Sequence, residues 1–275
     1  MREMVERKSV FVAIFAVLAT ACGQASEPPV DIPAGATALA IAPDYAGTIW
    51  ETAGAHVYRS RDGGHSWHGM AHTEAIGVAF LEKLVVVVDG KHVGVGGFGA
   101  ARLAPHPAGR PIVAIASPYY RTNRLYGLDP DGRLWLSVRG GRPWAPLRAL
   151  GLPSGCGAVS AVRGDPLKAD VVYVACGTGG LWGSSDFGAS FSRLPNAPDA
   201  TAVATTTDDH RRVLVADEAG LALSTNGGRT FRRVARVAGV TAVAFDLRNY
   251  LICYAATGRT LLRSADGGVT WSVPR

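Results

Sequence analysis

Three sets of side chains in this 275-residue chain are of types that do chemistry. The first is a histidine run, His65, His68 and His72, of the kind that ligates zinc. On an extended strand rising ~3.3 Å per residue, His65 and His72 stand about 23 Å apart and cannot share an ion, so no metal is expected. The second set is the acids and arginines of the connections: Glu74, Arg110, Asp131, Arg133, Asp217, Glu218 and Arg259. Two carboxyls about 5–10 Å apart can hydrolyse a glycoside and clustered arginines can clamp a carboxylate, but linear spacing does not pair these residues. The third set is four cysteines, Cys22, Cys156, Cys176 and Cys253. No Gly-rich stretch joins a strand to a helix, so Gly94–Gly97 is not a phosphate loop and no cofactor is expected.

Whatever positions these groups is rich in turns. Only 18% of residues are charged, 48% are apolar, and 34 are glycine, which suits many short strands joined tightly. The formal charge of +6 comes from twenty-four Arg and four Lys against 22 acids, without a run of five positive residues. Neither that scatter nor the aromatic pattern suits nucleic acid.

Residues 1–8 carry Arg2, Arg7 and Lys8, and Val10 to Ala21 contains no charge. That is a signal-peptide pattern, too short to span a ~30 Å hydrocarbon core. Ala19-Thr20-Ala21-Cys22 resembles the bacterial lipobox, although Leu18 lies four rather than three residues before the cysteine. The resemblance implies lipidation of Cys22; the alternative is ordinary cleavage after Ala21, leaving a free thiol. Residues 22–35 read as a flexible tether and 36–275 as the globular body, held at the outer face of the membrane or in the periplasm.

Five segments repeat one pattern. They begin at Ser60, Ser137, Ser184, Ser224 and Ser264, spaced 77, 47, 40 and 40 residues apart, and end at Trp67, Trp144, Phe191, Phe231 and Trp271. The degenerate Gly96-Gly97-Phe98-Gly99 lies inside the double gap, so six units of about forty fit. Four carry an acceptor two residues on (Asp62, Asp186, Asn226, Asp266) and a glycine two further (Gly64, Gly188, Gly228, Gly268). The pattern resembles the Asp box, or bacterial neuraminidase repeat. The acceptor can fold back on the turn's own N–H groups, so the acid is read as a fastener and not as a catalyst.

Three residues before each serine stands Val57, Leu134, Leu181, Leu221 or Leu261, preceded by a Gly-containing turn and further apolar strands. Four short antiparallel strands repeated six times predict an all-β, six-bladed β-propeller. If Ala36–Ala42 opens the first blade and Trp271–Val273 closes the last, no strand is shared between the ends, and closure relies on face packing unless Val30–Ile32 adds an edge.

Cys156 and Cys176 are the expected disulfide: a connection at 163–169 makes paired residues sum to 332 and sets them opposite one another. Cys253 is expected to be a buried free thiol.

In sialidases, which share these boxes, the active site lies on the face away from them. Here that face is expected to hold the seven acids and arginines named above. Sialidases also carry an R-I-P motif, an arginine triad and a Tyr–Glu pair; this chain has Gly109-Arg110-Pro111-Ile112 instead and no tyrosine expected there. Ile41-Ala-Pro-Asp-Tyr45 and Ser117-Pro-Tyr-Tyr-Arg121 resemble repeats of sortilin-like and photosystem II assembly-factor-like propellers, which implies a binding platform. The expected protein is therefore a monomeric, non-catalytic lipoprotein that binds a protein or envelope polymer on the face opposite the boxes. A divergent sialidase-like glycoside hydrolase is the alternative.

Overall fold

The computed structural model describes residues 35–42, 47–81, 84–98, 100, 103–118, 123–147, 156, 159–206 and 212–274. The strands form six sheets in chain order around an axis. Blade one comprises Ala36–Ile41, Ile49–Ala53, His56–Ser60 and His68–Glu74. The innermost strands of the next five are Gly77–Leu81, Ala114–Ala116, Ala161–Gly164, Ala202–Thr205 and Val240–Phe245. Blades one to five have four antiparallel strands; in blade six the fourth position is held by a single bridge between Arg263 and Ser272. The chain is a six-bladed β-propeller.

Each sheet is covered on both faces by its neighbours, which explains the near-continuous apolar runs of the second strands. Ile49–Ala53, Leu125–Leu128, Val172–Ala175 and Val213–Asp217 are buried at every position. Six separate hydrophobic clusters fill the six junctions, one between each pair of adjacent blades. The junction of blades six and one is built like the others, with Leu39, Ile41, Ile49 and Trp67 against Ala242, Ala244, Tyr254 and Leu261. One backbone bond also crosses the ring ends, from Gly35 N–H to the Gly258 carbonyl at 2.9 Å. Among the described residues the ring ends meet by face packing and this bond; Val30–Ile32, which would add an edge, lies outside them.

The repeat turns join the third and fourth strands. In all five, the serine hydroxyl oxygen accepts the N–H of the residue four further on, at 2.8–3.0 Å: Gly64, Gly141, Gly188, Gly228 and Gly268. In blade one Asp62 Oδ1 accepts the Ser60 hydroxyl and the N–H groups of His65 and Ser66, while Oδ2 accepts the Ser66 hydroxyl. Blade five does the same with a neutral group: Asn226 Oδ1 accepts Ser224 Oγ–H and Thr230 N–H, and its amide donates to Thr230 Oγ1. In blade three Arg139 stands in the acceptor's place and the Ser137 bond remains. Gly64 cannot be replaced, because at φ +94° an added Cβ would lie 2.6 Å from Leu261 across the ring junction.

A few buried polar atoms among the described residues lack a hydrogen-bond partner, Trp50 Nε1 and Trp144 Nε1 among them, and Glu51 is unpartnered at both carboxyl oxygens. It lies in the second strand of blade one, two residues from Ile49 and so on the face toward blade six. It is 1% exposed and neither carboxyl oxygen has a hydrogen-bond partner. Burial pushes its pKa up to about 8.

The Cys156–Cys176 disulfide lies between blades three and four with Cα atoms 5.0 Å apart. The expected register is corrected: pairs such as Ala161 with Ala175 sum to 336, not 332. Asp165 Oδ1 accepts the N–H groups of Leu167 and Lys168, which places the turn two residues later. Cys156 therefore reaches Cys176 from the link before the strand and is not paired opposite it within the sheet. Cys253 is a buried free thiol, pushed up to about 12 by burial.

Two stability outcomes follow from these contacts. Glu51 keeps its proton in the folded chain up to pH about 8 but loses it near 4.5 when unfolded, so unfolding free energy should fall as pH rises between those values, by on the order of a few kcal/mol. Glu51→Leu should abolish that slope in denaturant titrations at pH 5 and 8. Ser60→Ala strands the buried Gly64 N–H and should cost about 1–3 kcal/mol, whereas Asp62→Asn, which copies blade five, should cost under about 1 kcal/mol.

Candidate functional site

The propeller has two faces. The repeat turns lie with the connections that follow the innermost strands; the blade-to-blade links lie with the turns between second and third strands. The seven ionisable residues expected on the latter face do not converge. Asp217 is buried at 7% side-chain exposure and bound in two places by Arg233, at 2.7 and 2.6 Å, while also accepting Ala219 N–H. It is a structural group of blade five. Glu218 and Arg259 are exposed on separate blades. Glu74 is exposed at the rim of a hollow of about 360 Å³ shared with Asp89, His92 and Pro105.

Arg110, Asp131 and Arg133 share one neighbourhood on blade three. The Arg110 guanidinium lies 3.3 Å over the Trp135 ring, whose Nε1–H donates to Asp129 Oδ2 at 3.0 Å. Asp129 also accepts the N–H groups of Asp131 and Arg133, which fixes the turn. The Asp131–Arg133 ion pair, 3.1 Å long, is more than two-thirds exposed on both sides. The result is a shallow patch of stacked ring and guanidinium with a charged rim.

A larger concavity than the hollow beside Glu74 lies on the other face. It holds about 1000 Å³ over the junction of blades one and six. Its walls include Arg61, Asp62 and His65 of the first repeat turn, Asp246 and Arg248 of the last blade, and Arg263. No reading of the linear sequence brought these together, because residues 61 and 263 become neighbours only when the ring closes. Their signal, an arginine beside a repeat serine in both the first and last units, was present but meaningless without the closure.

The acids of the repeat turns are engaged by their own turns. Slight burial pushes Asp62 up, but the hydrogen bonds from Ser66, Ser60 and His65 prevail and hold it at about 2. Thr270 and Ser264 likewise outweigh burial at Asp266, and Ser190 leads at Asp186, each held at about 2. The carboxyl pushed up, Glu51, lines none of the cavities described. Near the axis, Ala40, Phe80, Ser117, Arg163 and Pro166 enclose about 30 Å³, room for roughly one water. Among the described residues no three His, Cys, Asp or Glu side chains gather to hold a metal. His65 faces the junction cavity, and His68 opens the strand that leads away from it. Cys22 lies outside the described residues.

No family model matches the sequence. A xyloglucanase from a Paenibacillus species is 27% identical over 175 residues, covering 62% of this chain and 13% of that enzyme. The GH74 enzyme of Niastella koreensis superposes with a TM-score of 0.60 at 19% identity, covering 86% of this chain and 38% of that one. YCF48 from Cyanidioschyzon merolae superposes with a TM-score of 0.55 at 15% identity, covering 91% and 88%. YCF48 bound to D1 peptide gives 0.56 at 15%, covering 90% and 84%. The chain thus spans a minor part of the two enzymes and most of YCF48. The structural likenesses support the β-propeller class.

The environment of Asp217 gives a direct test of its assignment. Arg233→Ala leaves a buried carboxylate without its cation and should destabilise the chain by about 3 kcal/mol, while Glu218→Ala should change stability by less than about 0.5 kcal/mol, both read by chemical denaturation.

Proposed function

We propose that this protein is an exported, lipid-anchored binding scaffold that performs no chemistry and docks another protein on the face opposite its repeat turns. The observation that carries this reading is the Arg110–Trp135 stack with the exposed Asp131–Arg133 pair beside it. A rigid aromatic ring and guanidinium in a shallow, charged-rimmed patch suit a protein surface better than a small substrate, which needs enclosure. The repeat turns read as Asp boxes whose acids are spent on local N–H groups. Export and anchoring rest on the Cys22 lipobox-like stretch; an envelope polymer is the other ligand that such a position would offer. YCF48 bound to a peptide supplies a propeller of similar size with a polypeptide ligand.

Glycoside hydrolysis is kept as a second reading because of the sequence likeness to a xyloglucanase. The two separate in one experiment. Full-length wild-type chain and the Arg110→Ala and Trp135→Ala variants are used as bait on membranes from the producing cells. A protein retained by the wild type and lost with both variants supports docking through this patch. Equal recovery on all three baits, or turnover of a glycoside panel by the wild type, rejects it. Cys22→Ser should move the chain from the membrane to the soluble fraction, and unchanged membrane association would refute the anchor.

A further inference from the structure

The cavity over the junction of blades one and six lies on the face that the docking reading leaves unused. Its base is apolar and rigid: Ile41 and Tyr254 are buried and Ile252 is half-buried within the junction core. The Tyr254 hydroxyl lies beside Gly63, where an added Cβ would approach it to 3.3 Å. Gly63 N–H in turn donates to the Gly47 carbonyl at 2.9 Å, which pins the two turns together at the cavity wall.

Three guanidinium groups, Arg61, Arg248 and Arg263, line this space. The two carboxylates among them have local duties: Asp62 fastens its own turn, and Asp246 Oδ1 accepts the N–H groups of Arg248 and Asn249 at 2.8 and 3.2 Å. Arg61 and Arg263 make no ion pair with a carboxylate among the described residues. The cavity therefore offers planar cationic forks for an anion. It also offers acceptors: Asp62 Oδ2 takes only the Ser66 hydroxyl, and the Asn249 amide lines the wall. A phosphate ion brings few donors for these acceptors, and an acidic peptide brings only its backbone N–H groups. A uronic acid brings both a carboxylate for the arginines and neighbouring hydroxyl donors for the acceptors, on a ring whose C–H face can lie over Ile252 and Tyr254.

We propose that this junction cavity binds a uronic-acid-bearing oligosaccharide, with Arg61 and Arg263 taking a ring carboxylate and Asp62 and Asn249 taking hydroxyls. The volume of about 1000 Å³ is at the upper end for a single ligand site and accommodates a few sugar rings. The site is independent of the Arg110–Trp135 patch, so either can fail without the other.

The test is calorimetric titration of the full chain in detergent with trigalacturonate, cellotriose and a triglutamate peptide at about 50 mM salt, where charge contacts are weakly screened. Trigalacturonate should bind saturably, and cellotriose, which lacks the carboxylates, at least about tenfold more weakly. Arg61→Ala and Arg263→Ala should each weaken trigalacturonate by about tenfold or more, and Arg232→Ala, exposed on the outer strand of blade five, should leave it unchanged. Should Arg263→Ala fail to fold, Arg61→Ala, whose side chain is exposed, decides alone. Absence of saturable trigalacturonate binding, equal binding of cellotriose, preference for triglutamate, or unchanged affinity in Arg61→Ala would each overturn the proposal.

Discussion

A sheet that is apolar on both faces has to be covered on both, and the whole molecule follows from that constraint. The six junction clusters bury side chains from two blades each, and a linear row of blades would leave Leu39, Ile49, Ala242 and Ala256 exposed at its ends. Closure removes those ends. Among the described residues it rests on side-chain packing and one backbone bond between Gly35 and Gly258. Apolar burial is worth about 25 cal/mol per Å², so a junction of this kind can hold by area alone if its fit is good. That makes Glu51 informative: an unpartnered buried acid sits at the one junction where the chain ends meet.

The repeat turns answer a different requirement. The outer strands of three blades are very short, two residues in blades three and four and a single bridge in blade six, and ladder bonds alone hold them weakly. The serine hydroxyl, buried in every repeat, ties the turn back to its own third strand, and the aromatic residue that follows roofs it. The replacement of Asp by Asn in blade five and by Arg in blade three shows what is indispensable. The serine bond persists in all five, so the fastener is the hydroxyl, and the acid is reinforcement. A carboxylate whose charge is dispensable for its geometry is poor material for acid–base work.

The blade count, the strand order and the fasteners were legible in the sequence because each is a local pattern repeated at one period. The Cys156–Cys176 pair was legible as a pair, but its register was not, since Asp165 shifts the turn through hydrogen bonds that periodicity does not encode. The candidate docking face was legible least. Asp217 looked like an exposed acid in a turn, and nothing in its neighbours along the chain announced that Arg233, sixteen residues on, would claim it. Arg110 and Trp135 are twenty-five residues apart and on successive units, so their stack depends on how one blade's link lies over the next.

The junction cavity illustrates the same limit from the other side. Two consecutive blades in the middle of the chain are joined by a link whose length sets their spacing, whereas among the described residues blades six and one meet through the packing of their faces and one backbone bond. A cavity opens on the repeat-turn face, where Gly47 and Gly63 supply bare backbone and Ser272 to Pro274 form a wall instead of a full fourth strand. Space and charge at that place have one origin. A closure made by packing leaves room at its rim, and the arginines that flank the first and last repeat serines are the residues that the geometry of a closed ring necessarily brings to that rim.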